Sequence, residues 1–408
     1  MNWKRKLERN WGRLGMRYKL ADLCDIKIGR TPPRKEPQWF NTGLISDYTW
    51  VSIKDLGECN KYIDFSSETI SLVGQEKFNI PVVKAGTIIM SFKLTVGRLA
   101  IVKKNLLTNE AIAQLPIKDP SKVDRDFLYY YLLTYPWNIL GSTSSIATAI
   151  NSKMIKQMEV ELPDILIQRK IANILSIVDE KININHAINN NLLEQAITLY
   201  SEQFAELDKN GCIGDYCSVK SGFAFKSSWW ASSGVKVIKI ASINQDNLNL
   251  LECSYVDEDK IDKAKDFRVT AGDLLIAMTG ATIGKFAMVP YSSETLLVNQ
   301  RVGKFFLGDN PIEKLPFIYC TLKQPDVYYE VVNRGQGSAQ PNISAFDIMN
   351  IPCVIPPNEV LGAFNKTAQP LFYLIISNQL ENQRLSALRD ALLPKLMSGE
   401  LDVSDIEI

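Results

Sequence analysis

The sequence is poor in the residue types that build metal sites, disulfides and membrane spans. It contains one histidine, His186, which excludes histidine-rich metal sites and most acid–base dyads. Its seven cysteines are an odd number and include no Cys-x-x-Cys pair, which fits a reducing compartment better than a disulfide framework. No apolar run approaches the roughly 20 residues that a membrane-spanning helix needs. The composition therefore predicts a cytoplasmic globular protein with no membrane partner.

The chain also lacks a recognisable catalytic motif. Its nearest match to a phosphate-binding loop, residues 280–286, has three residues between the glycines instead of four, and Phe286 stands where Ser or Thr would hold magnesium. A hairpin turn is the favoured interpretation. Residues 335–338 lack the third glycine of a dinucleotide fingerprint, and the acidic residues 257–260 are typical of a solvated turn. We expect no catalytic residue, no metal site and no cofactor bound by this chain.

Positive charge is scarce for a protein that would hold DNA by charge alone. The formal net charge of the 408 residues is +1. Residues 16–163 carry 19 basic and 15 acidic side chains, whereas residues 210–356 carry 14 and 15. Because non-specific DNA binding depends on phosphate neutralisation, this balance leaves two options open. The chain could read bases directly, or a partner could supply the phosphate contacts.

The chain contains an internal repeat in a constant register. Pro163 and Pro356 are 193 residues apart, and the same shift places Ile150 on Ile343 and Gly29 on Gly222. A period of this length is too long for a solenoid and indicates two similar domains. We therefore predict a pseudo-two-fold molecule, which suits a target with two similar half-sites.

Each copy is predicted to be a mixed α/β domain with many short strands, and the fold class is α+β. Apolar and β-branched runs bounded by turn residues predict strands in both copies. They lie at residues 50–53, 87–90, 99–102, 237–240, 273–276 and 286–289. The predicted organisation is a basic N-terminal extension (1–15), recognition domain 1 (16–163), a central helical region (164–209), recognition domain 2 (210–356) and a C-terminal helical region (357–408).

A long helix is predicted after each domain, because apolar residues recur there at heptad a and d spacing. In the second helix Arg389 interrupts the stripe, Pro370 is expected to produce a kink, and Pro394 to end or bend the helix. The predicted stripe positions are Ile171, Leu175, Val178, Ile182, Leu192, Ala196 and Leu199 in the first helix, and Phe364, Ala368, Leu371, Ile375, Leu385 and Leu392 in the second.

Asparagines occupy the middle of both stripes. If the helices pair antiparallel, Asn185 meets Asn382 and Asn189 meets Asn378. Polar residues at such positions cost stability but fix register; exposed polar residues on bundle helices are the alternative. The paired interpretation predicts a coiled-coil strut of two long antiparallel helices that separates the two recognition domains.

Side chains suited to DNA recognition cluster in the loops of both copies. Arg, Lys, Gln and aromatic residues can contact base edges and phosphates, although each one taken alone is more often an ordinary surface residue. The candidates are Arg30, Arg34, Lys35, Trp39, Lys54, Lys93 and Arg98 in the first copy, and Lys226, Trp229, Trp230, Lys239, Lys285, Arg301, Arg334, Gln336 and Gln340 in the second.

Several strings resemble the specificity subunit of type I restriction-modification systems. They cover most of the chain, and the C-terminal string is the most specific. The strings are LP at 162–163 with QRKIANIL at 168–175, LRDALLPKLMSGE at 388–400, SGFAFK at 221–226, GDLL at 272–275 with TGATIGK at 279–285, and TNEAI at 108–112. The second helical region departs from the pattern, since it opens with NEVLG at 358–362 rather than the Gln-Arg form.

The resemblance implies a non-catalytic subunit that reads a bipartite sequence in double-stranded DNA. It also implies partners: two modification subunits that methylate adenine, and restriction subunits that translocate and cut. S-adenosylmethionine, ATP and magnesium would then be bound by those partners. Two rival interpretations are a stand-alone bipartite DNA-binding regulator and an enzyme with an unfamiliar site.

Overall fold

The computed structural model describes residues 15–137, 150–335 and 341–406. These residues belong to two compact units. Unit 1 extends to Glu180 and resumes at Ser386, and unit 2 comprises Lys181–Leu385. The boundary between the units lies inside each of the two long helices rather than at their ends. Within the described ranges, no helix is both long enough and apolar enough to cross a membrane.

Eleven α-helices and 23 strands form the described part of the chain, with short 3-10 helices between them. The helices are α1 Leu20–Leu23, α2 Ile53–Glu58, α3 Leu72–Lys77, α4 Arg125–Leu133, α5 Ser152–Lys156, α6 Ile165–Phe204, α7 Ile213–Tyr216, α8 Leu315–Lys323, α9 Pro325–Arg334, α10 Ala345–Met349 and α11 Asn358–Met397. The strands of unit 1 are β1 Met16–Lys19, β2 Lys27–Ile28, β3 Tyr48–Val51, β4 Tyr62–Ile63, β5 Thr69–Ile70, β6 Ile88–Ser91, β7 Leu99–Val102, β8 Leu107–Thr108, β9 Ile112–Leu115 and β10 Glu159–Leu162. The strands of unit 2 are β11 Gly211–Cys212, β12 Ser218–Ser221, β13 Trp230–Ala231, β14 Val235–Ile238, β15 Ile243–Asn244, β16 Asn247–Leu248, β17 Ser254–Val256, β18 Arg268–Val269, β19 Leu274–Ala277, β20 Phe286–Met288, β21 Leu296–Val298, β22 Val302–Phe306 and β23 Pro352–Cys353.

The two units share a core sheet topology. In unit 1 the order β2-β9-β6-β7-β4 forms one sheet and β5-β3-β8 another, while β1 pairs with β10. In unit 2 the sheets are β12-β22-β19-β20 and β13-β17-β14-β21-β18, and β11 pairs with β23. The shared part is β2-β9-β6-β7 with β12-β22-β19-β20, and β5-β3-β8 with β17-β14-β21. Both units even contain the same parallel pair, β3 with β8 and β14 with β21. The α+β class and the internal repeat are thus confirmed.

The predicted strands are found with small shifts. Residues 99–102 form β7 as predicted, and the remaining predicted strands overlap β3, β6, β14, β19 and β20. The prediction is wrong at Ile53 and Ile240, where a helical turn begins instead. At Ile53 the physical reason is a cap, since Asp55 accepts hydrogen bonds from the backbone and hydroxyl of Ser52 at 2.7 Å. Residues 280–286 form the expected connection between β19 and β20.

Both long helices are present, but the predicted stripe is out of phase along part of its length. Leu192 and Leu199 are only half-buried, whereas Leu193 and Tyr200 are buried. Between Ile171 and Phe204 one stripe of buried positions on α6 advances by about 3.7 residues per step, which is close to the period of an undistorted α-helix. This stripe is Ile171, Leu175, Asp179, Ile182, Asn185, Asn189, Leu193, Ala196, Tyr200 and Phe204, and Gln168 and Ala172 are buried as well. In α11, likewise, Phe372 is buried and Leu371 is half-buried.

The helices run antiparallel within unit 2, and the four asparagines lie buried between them. Asn185 Nδ2 donates to Asn382 Oδ1 at 2.8 Å, and Asn378 Nδ2 donates to Asn189 Oδ1 at 2.8 Å. These are the two pairs that the antiparallel arrangement requires. Their role in fixing register stays a prediction.

The prolines do not terminate the second helix. Helix α11 continues through Pro370 and through Pro394 to Met397. A proline removes only one backbone donor, and the carbonyl of Pro394 still accepts from the amide of Ser398 at 3.0 Å. Pro394 therefore does not end the helix, which continues for three more residues. The kink at Pro370 and a bend at Pro394 stay predictions.

Arg389, the residue that interrupts the predicted stripe, has a buried acidic partner in unit 1. Its Nη1 lies 2.9 Å from Asp179 Oδ1, and the hydroxyl of Tyr130 donates to Asp179 Oδ2 at 2.5 Å. Tyr130 also contacts Lys61, whose Nζ lies 2.6 Å from Asp126 Oδ1 and 2.8 Å from the hydroxyl of Ser176. Burial raises the pKa of Tyr130, so its hydroxyl remains a donor. A polar network thus joins the sheet domain of unit 1 to its helices.

Replacing Arg389 with methionine should destabilise the chain by about 2 kcal/mol, because it removes the guanidinium that pairs with the buried side chain of Asp179. The double variant Asp179→Leu/Arg389→Met should recover part of this loss. Arg384→Met, at an exposed position of the same helix, is the matched control and should change stability by less than about 0.5 kcal/mol. Denaturant unfolding measures all three. Equal effects of Arg389→Met and Arg384→Met would contradict the network.

Candidate nucleic-acid interface

In unit 1, Arg34 is held by structural contacts. Its guanidinium forms a two-point pair with Glu68, with Nη2 at 2.9 Å from Oε2. The same group lies 4.6 Å from the ring centroid of Phe40 and 4.8 Å from that of Trp50. The hydrogen bond to Glu68 raises the pKa of Arg34 above its ordinary value. Arg34 therefore stabilises the loop on its sheet through its pair with Glu68, although its side chain is still 54% exposed.

Arg30 and Trp39 lie together around Phe78. Arg30 Nη1 donates to the carbonyl of Phe78 at 3.1 Å. Trp39 packs edge-on against the Phe78 ring at 6.0 Å and donates from Nε1 to Glu36 at 2.8 Å. The Nζ atom of Lys77 lies 4.4 Å from the Trp39 ring centroid. This group is an exposed aromatic and cationic edge of unit 1.

The other candidates of unit 1 lie elsewhere. Arg98 donates to the carbonyl of Ile53 at 3.0 Å and has a packing role beside α2. Lys54 is exposed, 3.9 Å from Glu58 on the same helix. Lys35 and Lys93 are exposed as well. The structure thus groups Arg30, Arg34 and Trp39 near one sheet but does not bring Lys54, Lys93 and Arg98 into that group.

Unit 2 contains a pocket of about 280 Å³, near the lower end of the range for small-ligand sites. Phe225, Trp230 and Ile240 supply its apolar lining, and Lys239 and Arg301 supply its cations. Lys239 Nζ lies 3.6 Å from the Trp230 ring centroid, a cation–π contact. Burial lowers the pKa of Lys239 from its ordinary value. Neither cation has a carboxylate partner in the described residues, so both are available to an anionic or electron-rich group.

An aromatic cluster adjoins this pocket through Phe225. Trp229 stacks on Phe223 at 5.9 Å with an interplanar angle of 14° and meets Phe225 edge-on at 6.5 Å. Lys226, Lys260 and Lys263 lie around the Trp229 ring, at 5.9, 5.8 and 5.2 Å from its centroid. Lys260 also pairs with Asp259, so this edge carries both charges. Lys226 and Lys263 are the side chains there that could contact phosphates or bases.

The remaining candidates of unit 2 are not part of this edge. Arg334 donates to the carbonyls of Asp347 and Asn350 at 3.2 and 3.1 Å and pairs with Glu330, so it has a structural role. Lys285 follows the turn between β19 and β20 and is absent from the pocket lining. Gln336 and Gln340 lie outside the described residues.

Sequence reasoning missed Lys260, Lys263, Asn299 and Gln300. The two lysines lie in and just after the acidic stretch at 257–260, for which the sequence predicts a solvated turn and which forms an exposed 3-10 turn. The internal repeat could have identified Asn299 and Gln300, since TNEAI at 108–112 aligns with VNQRV at 298–302 in the second copy. We call residues 109–112 and 299–302 the repeated turn.

A family model described as "Type I restriction modification DNA specificity domain" matches residues 16–194 and 208–389. Among curated relatives, the specificity subunit of the type I restriction enzyme MjaIX from Methanocaldococcus jannaschii is 26% identical over 420 residues. That alignment covers 95% of this chain and 94% of the relative. The MjaVIII specificity subunit of the same organism is 21% identical over 334 residues, covering 76% and 77%.

Among solved structures, the fold resembles the crystal structure of the S subunit of a type I restriction-modification system from M. genitalium. The TM-score is 0.51 at 18% sequence identity, and the match covers 96% of this chain and 98% of the other. The two chains share a fold along nearly their whole lengths.

The contacts of Arg34 predict that its main role is to stabilise the fold rather than to bind DNA. Arg34→Ala should destabilise the chain by about 1 kcal/mol, since it removes a partly solvated ion pair and two cation–π contacts. The neighbouring Lys35→Ala is the matched control and should leave stability within about 0.5 kcal/mol. Unfolding is followed by denaturant titration. If Arg34→Ala leaves stability unchanged, Arg34 is free to serve as a DNA contact and the structural assignment is wrong.

Proposed function

Because the chain belongs to the family of type I restriction-modification DNA specificity proteins, we propose that it is the subunit that recognises a bipartite DNA sequence for such a complex. One observation carries this proposal: both copies of the repeat match the family model, and both fold around the same core sheet topology. Each copy would read one half of the target.

The surfaces of the two units support DNA as the ligand. Unit 1 presents Trp39 with Arg30 and Lys77, and unit 2 presents Trp229 and Trp230 with their surrounding lysines. Arg and Lys donors serve both phosphates and base edges, and the partly buried rings orient the cations. Because the formal net charge is only +1, the chain alone would bind DNA weakly, and partner subunits would add phosphate contacts.

The catalytic steps belong to partner subunits in this proposal. Two modification subunits would bind S-adenosylmethionine and methylate adenine, and restriction subunits would use ATP and magnesium for translocation and cleavage. Exposed apolar residues on the long helices suit the docking of such partners. Ile184 and Ile188 lie one turn apart on α6 with exposures of 49% and 37%, and Leu374 on α11 is 46% exposed.

The purified chain should methylate nothing, and addition of its cognate modification subunit should produce adenine methylation at a split motif. Tritiated methyl transfer to genomic DNA, followed by mapping of the modified positions, measures both results. The variant Ile184→Lys/Ile188→Lys is the control for docking: it should keep its fold by circular dichroism and lose methylation in the mixture.

Two outcomes would overturn the proposal. Methyl transfer by the chain alone would make it an enzyme. Tight, sequence-specific binding with no effect of any modification subunit would favour a stand-alone regulator.

A further inference from the structure

The pocket of unit 2 holds two cations and no anion. Lys239 is half-buried against Trp230, and Arg301 is exposed at the opening of the repeated turn. No carboxylate lines the pocket, and neither cation forms an ion pair with any residue that the structure describes. The positive charge of the pocket is therefore not neutralised by the surrounding protein.

The corresponding positions of unit 1 are uncharged. Lys239 follows β14 and Ser52 follows β3, two strands that match in the sheet topology of the units. Arg301 and Ala111 are each the third residue of the repeated turn. The hydroxyl of Ser52 donates to Asp55 at 2.7 Å and belongs to the cap of α2. Neither cation of the pocket thus has a counterpart at the same position of unit 1.

The aromatic ring of the pocket does have a counterpart. Phe40 in unit 1 and Trp230 in unit 2 each follow directly on a three-residue 3-10 helix. A cation lies over each ring, with Arg34 at 4.6 Å from the centroid of Phe40 and Lys239 at 3.6 Å from that of Trp230. In unit 1 Glu68 pairs with this cation at 2.9 Å. The two units therefore differ in one respect that matters for binding: the cation over the ring is neutralised in unit 1 only.

A half-buried cation without a counter-charge favours an anionic ligand. Burial lowers the pKa of Lys239, because its charged form has lost part of its hydration. A neutral base would leave this charge uncompensated, whereas a phosphate brings a negative charge and several acceptor oxygens. Phosphate oxygens accept from ammonium, guanidinium, hydroxyl and amide groups, and Ser227, Asn299 and Gln300 supply the hydroxyl and the amides in the same pocket.

We propose that the pocket of unit 2 binds one phosphate of the DNA backbone between Lys239 and Arg301, and that the corresponding residues of unit 1 form no such site. The contact would position unit 2 on its half-site without reading a base, because backbone phosphates carry no direct sequence information. This inference rests on the proposed function, since that function makes DNA the source of the phosphate.

The test uses the full chain in complex with its modification subunit and DNA duplexes that contain the methylated motif. Each backbone phosphate is replaced in turn by an uncharged methylphosphonate, and the affinity is measured by fluorescence anisotropy. One replacement in one half-site should weaken binding of the wild-type complex on the order of 5-fold. The same replacement should have a smaller effect on Arg301→Ala and none on Lys239→Ser/Arg301→Ala, which carries the residues of unit 1 at both positions.

The double variant should also bind all DNA sequences more weakly, because a phosphate contact does not depend on sequence. Its plot of log affinity against log salt concentration should be shallower by about 1, and the methylated motif should stay unchanged. Arg268→Ala is the charge-matched control, at an exposed arginine of unit 2 outside the pocket lining. It should remain as sensitive to the critical methylphosphonate as the wild type.

Inorganic phosphate distinguishes the DNA backbone from a free anion as the ligand. Tryptophan fluorescence reports on the pocket, because Trp230 lines it. Titration of the wild-type complex with inorganic phosphate should show no saturation in the millimolar range, since a free ion gains only this one contact. Saturable phosphate binding that persists when DNA is bound would overturn the inference in favour of a free-anion site.

Two further results would overturn the inference. A base position of the motif that relaxes in Arg301→Ala would make Arg301 a base contact. Undiminished sensitivity of the double variant to every methylphosphonate would mean that the pocket holds no backbone phosphate. Failure of the proposed function looks different, because the wild-type complex would then prefer no split motif at all.

Discussion

Each unit depends on burying one face of its segments of the two long helices. In unit 2 the helices contribute Tyr200, Phe204, Phe364 and Phe372 to the same core as Phe317 of α8, with ring centroids 5.1 to 6.3 Å apart across this cluster. Aromatic pairs of this kind bury a large apolar area in defined geometry. The sheets of unit 2 are thereby fixed on their helices, and the loops that carry the candidate DNA contacts are fixed by those sheets.

Unit 1 also buries apolar helix residues, among them Leu175 and Met397, in its core. A polar network around Lys61, Tyr130, Asp179 and Arg389 adds to these apolar contacts. Buried ion pairs add little net stability, but their geometry is specific and each member needs the others. The two copies therefore share a core sheet topology and an apolar helix face, and the polar network distinguishes the helix contacts of unit 1.

The architecture could be predicted well because an internal repeat and a hydrophobic periodicity are visible in the order of the residues, without knowledge of which residues meet in space. The shift of 193 residues, the apolar runs at 99–102 and 286–289, and the four asparagines all correspond to features of the structure. The predicted stripe of buried helix residues was wrong at Leu192 and Leu199, because the buried positions there are the next residues, Leu193 and Tyr200. Individual site residues were harder to predict, since the roles of Arg34, Arg98 and Arg334 depend on distant partners. Nothing in the sequence near Arg34 indicates that Glu68 and Trp50 occupy its guanidinium.

The central claim is that each unit reads one half of a bipartite target independently. The most direct measurement replaces residues 210–356 with the corresponding segment of a family member of different specificity and maps adenine methylation in a host that expresses the modification subunit. The account predicts that one half of the motif changes to that of the donor and the other half stays the same. A change in both halves would contradict it, because the two units would then form one composite site.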